Sequence, residues 1–154
     1  MRVLVWLTET TWQATVDAAV RLAPSGAELT LLYVLAGDAE RVVHGARAAL
    51  LGRRHPPKPA DEPDLGSISE EAAAALLADA RARLGRPARE LLRRGRIERE
   101  VVSAAAEADL LVMARTGRHA HPGPGSIGHP ARFVLDHASC QVLLVWPQRP
   151  PQGT

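Results

Sequence analysis

Two kinds of hydrophobic spacing alternate along the chain. Val3–Leu7 (VLVWL), Leu29–Leu35 (LTLLYVL), Leu110–Ala114 (LLVMA) and Val142–Trp146 (VLLVW) are short, nearly continuous apolar runs, which is how strands buried on both faces of a parallel sheet read. Between them apolar residues recur three or four positions apart. Trp12, Val16, Ala19, Val20 and Ala23 stand opposite Gln13, Asp17 and Arg21, and Pro24-Ser25-Gly26 ends that pattern. Ala73, Leu77, Ala80 and Leu84 precede Gly85, Ile97, Val101, Ala104, Ala105 and Ala108 form a third stripe, and Ala131, Val134, Leu135 and Ala138 a fourth. Each predicts an amphipathic helix. Ala88–Leu92 (ARELL) predicts a shorter, poorer strand whose Arg89 and Glu90 suit a sheet edge.

The remaining segments punctuate this order. Ala39–Leu51 is weakly helical, but residues 53–66 hold Pro56, Pro57, Pro59 and Pro63 and cannot continue a helix, so a Pro-rich surface loop is expected. Ser67-Ile68-Ser69-Glu70 has capping-box spacing and predicts the start of the second helix. Residues 1–147 form the expected single domain and 148–154 a flexible tail. Five strands alternating with four helices predict a doubly wound α/β fold, a five-stranded parallel sheet with right-handed crossovers. Such sheets bind ligands beyond the carboxyl ends of their strands, where strand order reverses. The segments after Leu7, Leu35 and Ala114 are therefore the places to look.

Composition narrows the class. With 46% hydrophobic and 23% charged residues in 154, the chain is neither disordered nor fibrous. Its one cysteine, Cys140, excludes a disulfide-stapled scaffold. No run suits a signal sequence or a membrane span, and a cytoplasmic location is expected. Net charge is +2, although Arg81, Arg83, Arg86, Arg89, Arg93, Arg94, Arg96 and Arg99 crowd one stretch. That stretch holds no aromatic residue for base stacking, so solvated faces are expected there and nucleic-acid binding is not.

The most informative segment is Ala114–Pro130, ARTGRHAHPGPGSIGHP, a glycine-rich connection between a buried strand and a helix. Glycines let backbone N–H groups approach an anion, and the helix adds unpaired N–H groups and its positive dipole end. The same residues also suit a plain long connection. Pro130 fits the helix's first turn with His129 as cap, and Ser126 is the competing cap, with a hydroxyl for a phosphate. Cys140 opens the last strand and reads as a structural thiol. His119, His121 and His129 lack a nearby Cys or acidic partner, so no metal site is expected. Trp6 and Trp12 flank the expected pocket mouth, Trp12 on a helix stripe that reads as core.

The run Ala108–Arg118 (ADLLVMARTGR), with Gly128–Trp146 (GHPARFVLDHASCQVLLVW), resembles the C-terminal signature of universal stress proteins, and the resemblance extends over nearly the whole chain. It implies a five-stranded α/β sheet and a homodimer paired through Val142, Leu143, Leu144 and Val145. Members that bind ATP carry G-x2-G-x9-G-[S/T] after strand four and an aspartate after strand one. Matched by position, the first glycine is Ala114, the second is Gly117, the third is Gly128 after ten residues, and the Ser/Thr is His129. The aspartate falls at Thr8 and the adenine-side valine at Val34. Thr8 makes one hydrogen bond where a carboxylate makes two, so sugar recognition weakens; Arg115, Arg118 and His119 are placed to offset phosphate charge.

The resemblance thus implies a stress-response binding module with a degenerate pocket for ATP or another adenine nucleotide, with Mg²⁺, between Thr8, Val34, Met113, Ala114, Gly117, Ser126, Gly128 and His129. The alternative is a member that binds no nucleotide and acts through its dimer and partner surfaces. A nucleotide-processing enzyme would need a base and a nucleophile that the sequence does not offer, and any ATP hydrolysis is expected to be slow and incidental.

Overall fold

The computed structural model describes residues 1–37, 65–117 and 123–147. The elements run β1 (Arg2–Leu7), α1 (Trp12–Leu22), β2 (Glu28–Ala36), α2 (Leu65–Leu84), β3 (Ala88–Gly95), α3 (Ile97–Ala105), β4 (Leu110–Ala114), α4 (His129–His137) and β5 (Gln141–Val145). A 3₁₀ turn, Pro124–Ser126, precedes α4. All pairings are parallel and the strand order is β3-β2-β1-β4-β5. The weakly helical 39–51 segment, the Pro-rich loop and the tail lie outside the described residues.

The alternation of strand side chains assigns the helices to faces. Val3, Val5 and Leu7 of β1 with Leu29, Leu31, Tyr33 and Leu35 of β2 pack under α1 and α2. Leu4, Trp6, Leu32, Val34, Leu111 and Met113 pack under α3 and α4. The predicted stripes are the buried ones: Val16 and Ala19, then Ala73, Leu77, Ala80 and Leu84, then Val101, Ala104 and Ala105, then Ala131 and Val134. β1, β2 and β4 lie inside the sheet and are covered on both sides, which is why they read as continuous apolar runs.

Three local expectations are corrected. α2 starts at Leu65, so Ser67–Glu70 lies within its first turns and does not cap it; Glu70 instead accepts a hydrogen bond from Arg94 of β3. β3 continues to Gly95, because the register Val34↔Arg93, Leu35↔Arg94 and Ala36↔Gly95 lets the long β2 carry it. The cap of α4 is Gly128, with φ 79°, and neither His129 nor Ser126; His129 is the first helical residue.

Successive connections place α1 and α2 on one face and α3 and α4 on the other, so the chain turns in opposite directions from β1 and from β4. These strands are neighbours, paired through Val3↔Leu110, Leu4↔Leu111 and Val5↔Val112. The crevice between their carboxyl ends is the switch point of the sheet.

Candidate functional site

Thr8 follows β1 and the 115–117 segment follows β4, so the fold brings two of the sequence-predicted segments to the switch point. Thr8 carbonyl oxygen accepts the N–H groups of Thr11 at 3.3 Å and Trp12 at 3.1 Å, which turns the chain into α1. The hydroxyls of Thr8 and Thr11 share a hydrogen bond of 2.6 Å, so the Thr8 side chain, expected from the sequence at the sugar, already has a partner. Next to it, Tyr33 hydroxyl donates to Glu9 Oε1 at 3.0 Å. Burial, reinforced by that bond, pushes the Tyr33 phenol up to about 12.

The loop after β4 is closed by its own backbone. Thr116 N–H and hydroxyl both donate to Ile127 carbonyl, at 3.2 and 2.9 Å, and Gly117 N–H donates to Ser126 carbonyl at 3.0 Å. The two strands of the loop lie so close that a Cβ on Gly117 would meet Gly125 O at 2.1 Å, and one on Gly128 would meet Thr116 Oγ1 at 2.4 Å. Both glycines are therefore required by loop closure itself. Ala114 has ordinary backbone geometry, as do all non-glycine residues among those described, so the methyl it adds causes no strain.

The side chains expected to line a pocket divide unevenly. Met113 is fully buried and Val34 nearly so, both within the α3/α4 core, so what they can present to a ligand is backbone. Trp6, expected at the pocket mouth, is likewise core, and Trp12 packs at the margin of the opposite core. Ser126 is 1% exposed. Its hydroxyl donates to Gly123 carbonyl at 2.7 Å and accepts from Arg115 Nη1 at 2.6 Å, so it is engaged in building the loop. His129 is exposed at the start of α4, where no side chain caps the helix. The N–H groups of His129 and Ala131 belong to that uncapped first turn; Pro130 has none. His119, His121 and Arg118 lie outside the described residues, and among those described no cluster of three metal-ligating side chains occurs.

Two features escaped the sequence reading. Arg115 stacks over Trp146, 4.4 Å from the ring centroid, while it holds Ser126. Glu98 is 3% exposed in the first turn of α3. Burial pushes its carboxyl up, but its own backbone N–H and Arg96 outweigh that, with a smaller contribution from His129, and hold it below the usual carboxylate range. The signal was present: Glu98, Val101 and Ala105 fall at i, i+3 and i+7, on the buried stripe.

The arginine run is largely compensated within the fold. Arg83 grips Asp17 with two bonds of 2.7 and 2.8 Å, Arg81 pairs with Glu90, Arg93 with Glu100, Arg94 with Glu70 and Arg96 with Glu98. Arg86 donates to the carbonyls of Ala23, Pro24 and Ser25. Three grooves among the described residues lie away from the switch point: one of about 630 Å³ beside Ala78, Gly85 and Pro87 at the end of α2, one of about 500 Å³ between α1 and β5, and one of about 380 Å³ at the amino ends of β1, β2 and β3. Among the described residues no helix is long and apolar enough to cross a membrane.

Solved structures share this architecture. Universal stress protein UspA from Lactobacillus plantarum is 22% identical over 94% of this chain and 97% of its own, with a TM-score of 0.61. A universal stress protein in complex with cAMP is 18% identical over 96% and 98%, with a TM-score of 0.60. The universal stress protein from Archaeoglobus fulgidus in complex with dAMP is 16% identical over 94% and 97%, with a TM-score of 0.58. No curated protein matches the sequence. The model of the universal stress protein family matches residues 1–145, the whole of the sheet and its helices, and the chain belongs to that family.

Proposed function

We propose that the chain is a stress-response binding module that takes an adenine nucleotide at the β1/β4 switch point, phosphates toward the first turn of α4 and base toward the end of β2. The observation that carries this is the uncapped amino terminus of α4 beside a self-supporting glycine loop. N–H groups and the positive end of the helix dipole there favour an anion, and His129 adds an exposed donor. Relatives of the same fold, one in complex with cAMP and one with dAMP, support the adenine class. The fit is better for the phosphate half than for the sugar half, where Thr8 offers one hydroxyl already shared with Thr11. No catalytic step is part of the reading.

A second reading, a member that binds no nucleotide, is favoured by the internal engagement of the Thr8 and Ser126 hydroxyls. Calorimetry with ATP–Mg²⁺, ADP and AMP separates the two. Micromolar binding that weakens in His129→Ala supports the first, and no heat at millimolar nucleotide overturns it.

The proposed partner is a second copy of this chain, paired through Val142, Leu143, Leu144 and Val145. The two open edges of the sheet differ in the way that supports this. β3 carries Arg89, Glu90, Arg93 and Arg94, charges that oppose strand addition, whereas β5 is apolar and half-buried throughout after Gln141.

A further inference from the structure

Arg115 ties the described flanks of the loop after β4 to the outer strand of the sheet. Arg115 leaves β4 with its backbone N–H donating to Val145 O at 2.9 Å. Its Nη1 donates to Ser126 Oγ at 2.6 Å, and its guanidinium carbon stands 4.4 Å above the ring centroid of Trp146, the residue that follows β5. Ser126 passes the contact on, because its carbonyl accepts the Gly117 N–H at 3.0 Å and its neighbour Ile127 accepts Thr116 twice. A planar guanidinium can stack through its face and donate through its edge at the same time, which a lysine ammonium cannot do.

We infer that Arg115 is a positioning residue that couples the flanks of the switch-point loop, residues 115–117 and 123–128, to the open end of β5 at Trp146. The stacking of Trp146 fixes the guanidinium, the guanidinium fixes Ser126, and Ser126 fixes the Gly117 amide. Coupling of this kind is reciprocal, so whatever the loop holds alters the end of the edge strand, and whatever pairs with that strand alters the loop. The inference rests on the nucleotide reading only for what the loop holds; the coupling itself belongs to the protein alone.

Amide hydrogen exchange on the whole chain, read by NMR at Thr116 and Gly117 with Leu31 as the core reference, tests it without any added molecule. Trp146→Leu is expected to speed exchange at Thr116 and Gly117 roughly 2- to 30-fold, the range a cation–π contact supports, and to leave Leu31 unchanged. In an Arg115→Met background the same substitution is expected to have no further effect. Unchanged exchange in Trp146→Leu, or the same acceleration in both backgrounds, overturns the coupling. Should Leu31 accelerate as well, Trp146→Phe, which keeps a ring beneath the guanidinium, must restore the two loop amides toward wild type, and its failure to do so also overturns it. A titration with ATP–Mg²⁺ is read separately: absence of binding sinks the nucleotide reading and leaves the exchange result standing.

Discussion

Gly117 is the position at which loop closure and ligand approach make different demands, and Gly117→Ala separates them. The added Cβ would stand 2.1 Å from Gly125 O, 2.8 Å from Gly128 N and 2.8 Å from Ser126 C, all backbone atoms that cannot rotate away. The flanks must move apart by more than an ångström, which breaks the Gly117–Ser126 bond and both Thr116–Ile127 bonds. At about 0.5–1.5 kcal/mol net for each hydrogen bond, the cost is about 2–4 kcal/mol. For a domain of this size that corresponds to a fall in Tm of roughly 4–16 °C if the loop unfolds with the rest. Gly125→Ala is the matched control, since nothing lies within 4 Å of its added Cβ and its backbone φ is not positive; it is expected to change stability by less than about 0.5 kcal/mol. Calorimetric melting of both variants without nucleotide provides the comparison. Equal melting temperatures for Gly117→Ala and Gly125→Ala would rule out loop closure as the reason for glycine at 117, and would return it to the role of a residue kept small for a phosphate.

Thr8→Asp places a carboxylate at the end of β1 that can accept from the Thr11 hydroxyl and from a ribose; it is expected to tighten ATP binding about 5- to 10-fold by calorimetry, and unchanged affinity would remove Thr8 from the site. Glu98 has a carboxyl held below its unfolded value of 4.5, so the folded state binds fewer protons in acid, and its contribution is complete above that value and lost as pH falls through the folded one. Glu98→Gln is expected to flatten the acid limb of a denaturation series below pH 4.5, and parallel limbs would contradict the assignment. Gln141 N–H donates to Asp109 and Val145 O accepts from Arg115, so odd-numbered β5 residues face β4 and Val142 turns its N–H outward. Val142→Pro removes that donor and is expected to weaken self-association at least about tenfold by light scattering, whereas a monomeric wild type sinks the pairing proposal.

What the sequence made legible follows from how each signal arises. Val3–Leu7 and Leu110–Ala114 reported their places because a strand covered on both faces has no polar positions to blur the pattern. The end of β3 was hidden because Arg93 and Arg94 carry charges that resemble a loop, and only the register with β2 and the pairs to Glu100 and Glu70 show them to be strand residues. Ser67–Glu70 misled for the same reason: capping-box spacing is a local match, and Arg94 is a distant competitor for Glu70. Among the expected site residues, those defined by chain position, Thr8, Ala114, Gly117, Gly128 and His129, lie at the end of β4, after β1 or β4, or before and at the start of α4, because connectivity alone sets those places. Those chosen for a side chain, Val34, Met113 and Ser126, have that side chain in the core or in the loop's own bonds. Arg115 and Trp146 lie thirty-one positions apart and carry no spacing signal at all.

This division also decides which residues discriminate between the two functional readings. Gly117 and Gly128 are held by contacts with Gly125 and Thr116, so they would persist in a chain that had lost its ligand, and their presence says nothing about nucleotide binding. Ala114 is equally uninformative, because its backbone needs no glycine. The first turn of α4 differs. A helix start with no capping side chain on its cap residue offers its N–H groups to water or an anion, and a Ser, Thr, Asp or Asn cap would have been the simpler solution for stability alone. A Gly128→Asn replacement is no test, because the added Cβ strikes Thr116 Oγ1 at 2.4 Å. The decisive position is therefore Thr8, exposed enough to change and free of loop packing: if a carboxylate there creates nucleotide affinity that the natural chain lacks, the loop is a competent phosphate site whose sugar contact was lost, and if it creates none, the uncapped helix serves water.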